Sequence, residues 1–137
     1  MTTFLSKFSG HSYALMRIVA GFMFACHGAQ KLFGVLGGKV AIHDPLALVA
    51  GIVEFGGGSL IALGLLAVPA AFVASGEMAV GYFKAHARGG FWPILNRGEL
   101  AVLYCFVFLF IASRGAGIWS LDDCPRSSVP VFHQCLV

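Results

Sequence analysis

Charged side chains are scarce in this sequence. Asp, Glu, Lys and Arg make up 11% of its 137 residues and hydrophobic residues 58%, whereas a soluble domain carries about 25% charge and about 45–50% apolar residues. A globule of this size in water has a large outer surface to cover with polar atoms, so the shortage argues for a lipid surround. What charge exists is scattered. Nine Lys and Arg against six Asp and Glu leave a formal net charge of +3, and no stretch forms the basic stripe that nucleic-acid binding requires, so nucleic acid is not an expected partner.

Other absences narrow the reading further. No segment alternates strictly between apolar and polar residues, which disfavours a transmembrane barrel and leaves helices as the way to satisfy every backbone group in hydrocarbon. GxxxxGK[ST], CxxC, HExxH and CxxCH are all missing, so neither a P-loop nor a dithiol, zinc or c-type haem site is expected, and no metal is expected. The glycine-rich run GIVEFGGGSLIALG lies inside an apolar segment with no strand before it, which removes a dinucleotide loop. The first apolar run continues past Gly21 without a small-residue cleavage site, so it reads as a retained helix rather than a signal peptide. Of the four cysteines, Cys26 and Cys105 sit in apolar segments and read as small buried hydrophobes. Cys124 and Cys135 flank PRSSVPVFHQ, where a disulfide would form only on an oxidising side of a membrane.

What is present is four apolar segments, at about residues 13–36, 45–68, 69–86 and 98–114. Crossing a hydrocarbon core takes about 20 residues and at least about 17; the first two segments meet this comfortably and the last two are short. Pro45 and Pro69 stand where a proline can open a helix, so the second and third helices should form a tight hairpin. Gly89 and Gly90 interrupt the chain after the third, and Phe91-Trp92-Pro93 is aromatic material of the kind that rests at headgroup level. The expected fold class is an all-α polytopic membrane protein, a four-transmembrane-helix bundle over residues 1–120, followed by an irregular tail at 121–137. The loop charges nearly tie between the two sides, so orientation stays open.

Each segment also carries charge at a depth where charge is costly, about 2.5–3.5 kcal/mol near the bilayer centre on insertion scales. At about 100° per residue, Arg17, Lys31 and His27 share one flank of the first helix, with Gln30 at its edge and Gly21 and Gly28 near Arg17; Phe22, Met23 and Phe33 cover other directions. Glu54 shares a face with Gly51 and Gly58, and Glu77 with Gly81 and Lys84. Glu99 opens the fourth helix, where a carboxylate suits the dipole. Glu54 and Glu77, near the middle of their segments, are expected either to pair with Arg17, Lys31 or Lys84 or to be held protonated.

In sequence order, RIVAGFMFACHGAQKLFG from Arg17, GIVEFGGGSLIALGL from Gly51, PAAFVASGEMAVGYFKAHA from Pro69, GFWPILNRGELAVLYCF from Gly90 and WSLD from Trp119 resemble the DoxX family of small bacterial membrane proteins over about residues 13–122. The resemblance implies a multi-pass protein of the bacterial plasma (inner) membrane, with Arg17, His27, Gly28, Lys31, Glu54 and Glu77 as the family's polar framework and no agreed catalytic residue. The family is similar to the small membrane subunit of an archaeal thiosulfate:quinone oxidoreductase, and relatives are linked with quinone or catechol stress. Three functions follow as expectations. The first is an accessory subunit of a quinone-linked membrane oxidoreductase, holding a membrane quinone through His27, Gln30, Lys31, Glu54 and Glu77 and relying on a redox-enzyme partner for the chemistry, since no cofactor framework of its own is visible. The second is a small-solute or proton-coupled transporter, which a unit this small could form only as a homo-oligomer. The third is a structural anchor for a partner protein.

Overall fold

The computed structural model describes residue 4 and residues 6–41 and 44–123; the Cys124–Cys135 pair considered above lies outside them. Among the described residues the chain is helical, with no strand. Four long helices carry the fold. Helix α1 is Ser9–Phe33 and α2 is the continuous helix Pro45–Leu63. Helix α3 runs as Ala67–Gly81 and ends in a π turn at Tyr82–His86, and α4 is Glu99–Arg114.

The boundaries follow local chemistry, and they correct the expected ones. α1 starts a turn before Tyr13 and stops at Phe33 because Gly34 takes the left-handed conformation, its N–H closing on the Gln30 carbonyl. α2 begins at Pro45, with the Asp44 side chain accepting from the Leu46 and Ala47 N–H groups. It ends at Leu63 rather than Val68, because Gly64 is left-handed. α3 then starts at Ala67, two residues before Pro69. Its cap comes from the far end of the chain, since Asp122 Oδ1 and Oδ2 accept from Leu66 N and Ala67 N, both at 2.9 Å. In return, Asp122 N donates to Gly64 O at 2.8 Å and Leu121 N to Leu63 O at 3.2 Å. From Trp119 to Asp123 the described backbone forms bends without helix, and these bonds tie residues 121 and 122 to the turn between α2 and α3. Asp122→Ala is expected to cost about 1–2 kcal/mol, the ordinary value of a lost helix cap, read as a lower melting temperature in detergent, with Asp122→Asn losing less because it keeps one acceptor.

α1 packs chiefly on α2, and α3 on α4. Glycines set the first contact. A Cβ on Gly58 would lie 2.5 Å from Ala25 N, and one on Gly21 would lie 2.7 Å from Gly58 O, so the two backbones touch in the manner of small-residue faces in membrane helices. The alanine face of α3, with Ala67, Ala71 and Ala74 fully buried, does the same for α4, where the Ser75 hydroxyl also donates to Cys105 O at 2.8 Å. Cys26 and Cys105 are free thiols and only partly buried. Between the pairs, Phe24 meets the Phe108 ring edge-on at 4.7 Å, and Tyr104 stacks on Phe108 at 5.3 Å.

The bundle has two different ends. At the end holding the start of α1 and the close of α4, Arg17 is fully buried. Its guanidinium donates to Ile61 O at 2.7 Å, Ala62 O at 2.8 Å, Trp119 O at 2.6 Å and Ile118 O at 3.4 Å. Nearby the Tyr13 hydroxyl donates to Gly115 O, while the Arg114 guanidinium lies over the Tyr13 ring. The opposite end is open.

Candidate functional site

At that open end the four helices part around a cavity of about 450 Å³. α1 contributes Phe24, His27 and Lys31, α2 Ala50 and Glu54, α3 Glu77, Met78 and Lys84, and α4 Leu100 and Tyr104; Asp44, His86 and Arg97 add charge and polarity toward the helix ends. The volume is that of a small-molecule site, and its wall mixes apolar side chains with charged ones.

The polar groups of its wall fall into two kinds. Lys31 Nζ donates to Glu54 Oε1 at 2.5 Å, an ion pair in which the carboxylate is 3% exposed and the lysine, at 37%, still reaches outward. The second kind is unsatisfied. Glu54 Oε2, Glu77 Oε2 and Tyr104 Oη are all buried without a hydrogen-bond partner, although buried polar atoms in folded proteins almost always have one. All three belong to residues of the cavity wall.

Backbone irregularity accompanies the site. Glu54 stands within a π turn, Val53–Gly57, in the middle of α2, and α3 ends beside the cavity in the second π turn. Such turns inside α-helices are frequent at functional positions. The connection beyond α3 is pinned rather than loose. Asn96 Nδ2 donates to Gly90 O at 2.7 Å and to the Tyr82 hydroxyl at 3.2 Å, the Tyr82 hydroxyl donates to Phe91 O, and His86 Nδ1 lies 3.2 Å from Asn96 O. This network leaves Phe91, Trp92, Ile94 and Leu95 exposed as one apolar rim.

Of the residues singled out from sequence, the structure gathers His27, Lys31, Glu54, Glu77 and Lys84 around one cavity. The pairing choice resolves in part, with Lys31 as the partner of Glu54. Arg17 takes only backbone carbonyls, at the other end. Gln30 turns away as well, its amide donating to Leu36 O at 3.0 Å beyond the end of α1. Tyr104 was not anticipated; its one signal was to be the only phenol in an otherwise apolar fourth segment. His27 sits beside it, the two rings 6.3 Å apart.

Comparison with known proteins fits this picture without adding an activity. A protein of Haemophilus influenzae described as uncharacterized is 43% identical over 126 residues, covering 87% of this chain and 94% of its own length. No solved structure gives a significant match. The DoxX family model matches residues 12–87, a stretch that holds most of α1, α2, α3 and all of the wall's charged groups except Arg97, and with it this chain belongs to the DoxX family of membrane-associated proteins.

Proposed function

We propose that the chain is a multi-pass, four-helix protein of the bacterial inner membrane that holds a membrane quinone in its cavity as the accessory subunit of a redox-enzyme partner. Support for spanning comes from the outer surface. By length and composition α2 alone qualifies as a membrane span among the described residues; α1 and α3 carry polar side chains at mid-helix, and α4 has 16 residues, about 24 Å of helix against a hydrocarbon core of about 30 Å. Those polar side chains turn inward, whereas Phe22, Phe72, Phe83, Leu103 and Phe106 point outward and are exposed. In water this would be an adhesive surface; in lipid it is an ordinary one. The exposed Phe91–Leu95 rim then rests at headgroup level and completes the short crossing of α4.

The observation that carries the quinone reading is the cavity itself, where apolar Phe24, Ala50, Met78 and Leu100 stand on one wall with His27, Lys31, Glu54, Glu77 and Tyr104. A quinone ring asks for this combination, an apolar slot with a few polar groups at its oxygens. When bound, the quinone supplies two-electron chemistry that amino-acid side chains lack. The protein's residues would orient the ring and exclude water, and His27 and the Glu54–Lys31 pair would hold its oxygens and protons. Purification in detergent followed by lipid extraction is expected to recover quinone with the wild-type protein. Tyr104→Phe, which removes the hydroxyl and keeps the ring packing on Phe108, is expected to lower retention about five- to tenfold, equivalent to one hydrogen bond of about 1–1.5 kcal/mol. Quinone-free wild-type protein, or unchanged retention in the variant, would contradict the assignment. The charged groups toward the cavity's open end, Asp44, Lys84 and Arg97, favour a proton-coupled or small-solute carrier as the second reading, and solute uptake by vesicles without quinone dependence would select it.

A further inference from the structure

Two cations at the open end have no partner within the described part of the protein. Lys84 and Arg97 both line the cavity and both are exposed, and neither makes an ion pair or a hydrogen bond among the described residues. The acids of the same wall are engaged or set apart. Asp44 Oδ1 accepts from Leu46 N and Ala47 N as the cap of α2, and Glu54 holds Lys31. Glu77 stands two helical turns before Lys84, about 10 Å along the axis. Glu99 opens α4 just after Arg97 without pairing to it. Arg97 itself is firmly placed. Its backbone is left-handed, with φ 60°, a conformation uncommon for a residue with a side chain, and the next N–H, of Gly98, donates to Asn96 Oδ1 at 2.8 Å and to Pro93 O at 3.0 Å. Directly before it in the chain comes the apolar rim, with Phe91 68%, Trp92 65%, Ile94 72% and Leu95 76% exposed.

We propose that Lys84 and Arg97 bind the phosphate of an anionic phospholipid, whose acyl chains cover the rim at Ile94 and Leu95. The proposal rests on the membrane setting and makes no use of the quinone. A phosphate diester supplies the acceptor oxygens that an ammonium and a guanidinium fork lack, and basic pockets between membrane helices are a recurring way of holding acidic headgroups. A free phosphate would serve the two cations and leave the neighbouring rim in water, at the cost of its exposed apolar surface. A lipid serves both at once, which settles the source. A zwitterionic headgroup carries its own cation toward Lys84 and Arg97, so one with net negative charge is preferred. Because the hydrogen-bonded connection already holds Arg97, little ordering has to accompany binding.

The test uses the full-length protein in nanodiscs of phosphatidylcholine with phosphatidylglycerol as the minor lipid, followed by native mass spectrometry of the lipids that stay bound. Wild type is expected to enrich phosphatidylglycerol over its share of the bilayer by about fivefold or more, the worth of one cation near the membrane surface. In the double variant Lys84→Gln with Arg97→Gln the enrichment is expected to vanish, and Lys84→Arg, which keeps the charge, is expected to retain it. Lys39→Gln removes an exposed charge from the α1–α2 loop at the same end but outside the cavity wall, and is expected to change nothing. Absence of enrichment in wild type overturns the site, a comparison that stands even if a variant fails to fold. Equal loss in Lys39→Gln overturns it in favour of diffuse surface attraction. Displacement of the lipid by excess inorganic phosphate assigns the two cations to a free anion and overturns the lipid assignment. Quinone retention, measured on the same preparations, is a separate readout that none of these outcomes decides.

Discussion

Replacing Arg17 with methionine is expected to destabilise the folded protein by about 3–5 kcal/mol, the loss of three short charge-assisted hydrogen bonds inside the bundle. The side chain is fully buried, and its guanidinium ties three separate pieces of chain together. Ile61 and Ala62 offer carbonyls from the last turn of α2, and Ile61 O also accepts from Gly64 N at 3.1 Å. Trp119 belongs to the segment that returns after α4. Methionine fills the apolar part of the space and leaves the Ala62 and Trp119 carbonyls without this donor inside the bundle. Lysine should recover only part of the loss, because one ammonium cannot reproduce a planar fork aimed at carbonyls on two sides. The check is thermal unfolding in detergent in a Trp92→Phe background, where Trp119 is the sole remaining tryptophan. A fall of about 10 °C or more is expected, together with early loss of the folded Trp119 signal. Melting within about 2 °C of wild type would show that the α2 carbonyls find other partners.

That role for Arg17 marks where the sequence stops being readable. Hydropathy and spacing reveal that Arg17, Lys31, Glu54 and Glu77 stand within apolar segments on faces shared with small or polar residues. They do not reveal which charges share a level. Lys31 reaches Glu54 because α1 and α2 run antiparallel with Gly28 against Gly51, while the same antiparallel arrangement carries Arg17 to the other end of α2. The C-terminal stop of α2 was misplaced for a related reason. Leu65 to Val68 are apolar enough to continue a helix, and what ends it is Gly64, where an added Cβ would lie 2.8 Å from the Arg17 guanidinium. Asp122 looks like tail until its two oxygens are seen on Leu66 and Ala67; a cap more than fifty residues from the helix it serves leaves no local pattern. The π turns are equally silent, because they change backbone register without changing composition, although FGGGS at residues 55–59 offers little side-chain bulk to oppose one. Tyr104 follows the same rule: a phenol in an apolar helix is ordinary, and only its place around the cavity with Glu54 and Glu77 makes it part of the candidate site.

Gly28→Leu is expected to separate α1 from α2 and to abolish ligand retention together with stability. A Cβ at this position would stand 2.7 Å from both Gly51 O and Phe55 Cα, and these are backbone atoms with no rotamer to yield. The helices must move apart, and the geometry that suffers first is the nearest one. Lys31 lies one turn along α1 from Gly28, and Glu54 lies beside Phe55 in the π turn, so a shift of about 1 Å breaks the 2.5 Å contact between them. Alanine at the same position introduces the same clash with a smaller group and is expected to cost about 1–3 kcal/mol, the usual range for overpacking; leucine should exceed it. Gly76 serves as the control, since a Cβ there meets nothing within 4 Å. Gly76→Ala, in the interior of α3, is expected to stabilise by up to about 1 kcal/mol through helix propensity alone. Opposite signs for two glycine-to-alanine changes in one bundle would trace the effect at Gly28 to backbone contact. If Gly28→Ala melts at or above the wild-type temperature and still retains quinone, the close approach of α1 and α2 is not what holds Glu54 in place.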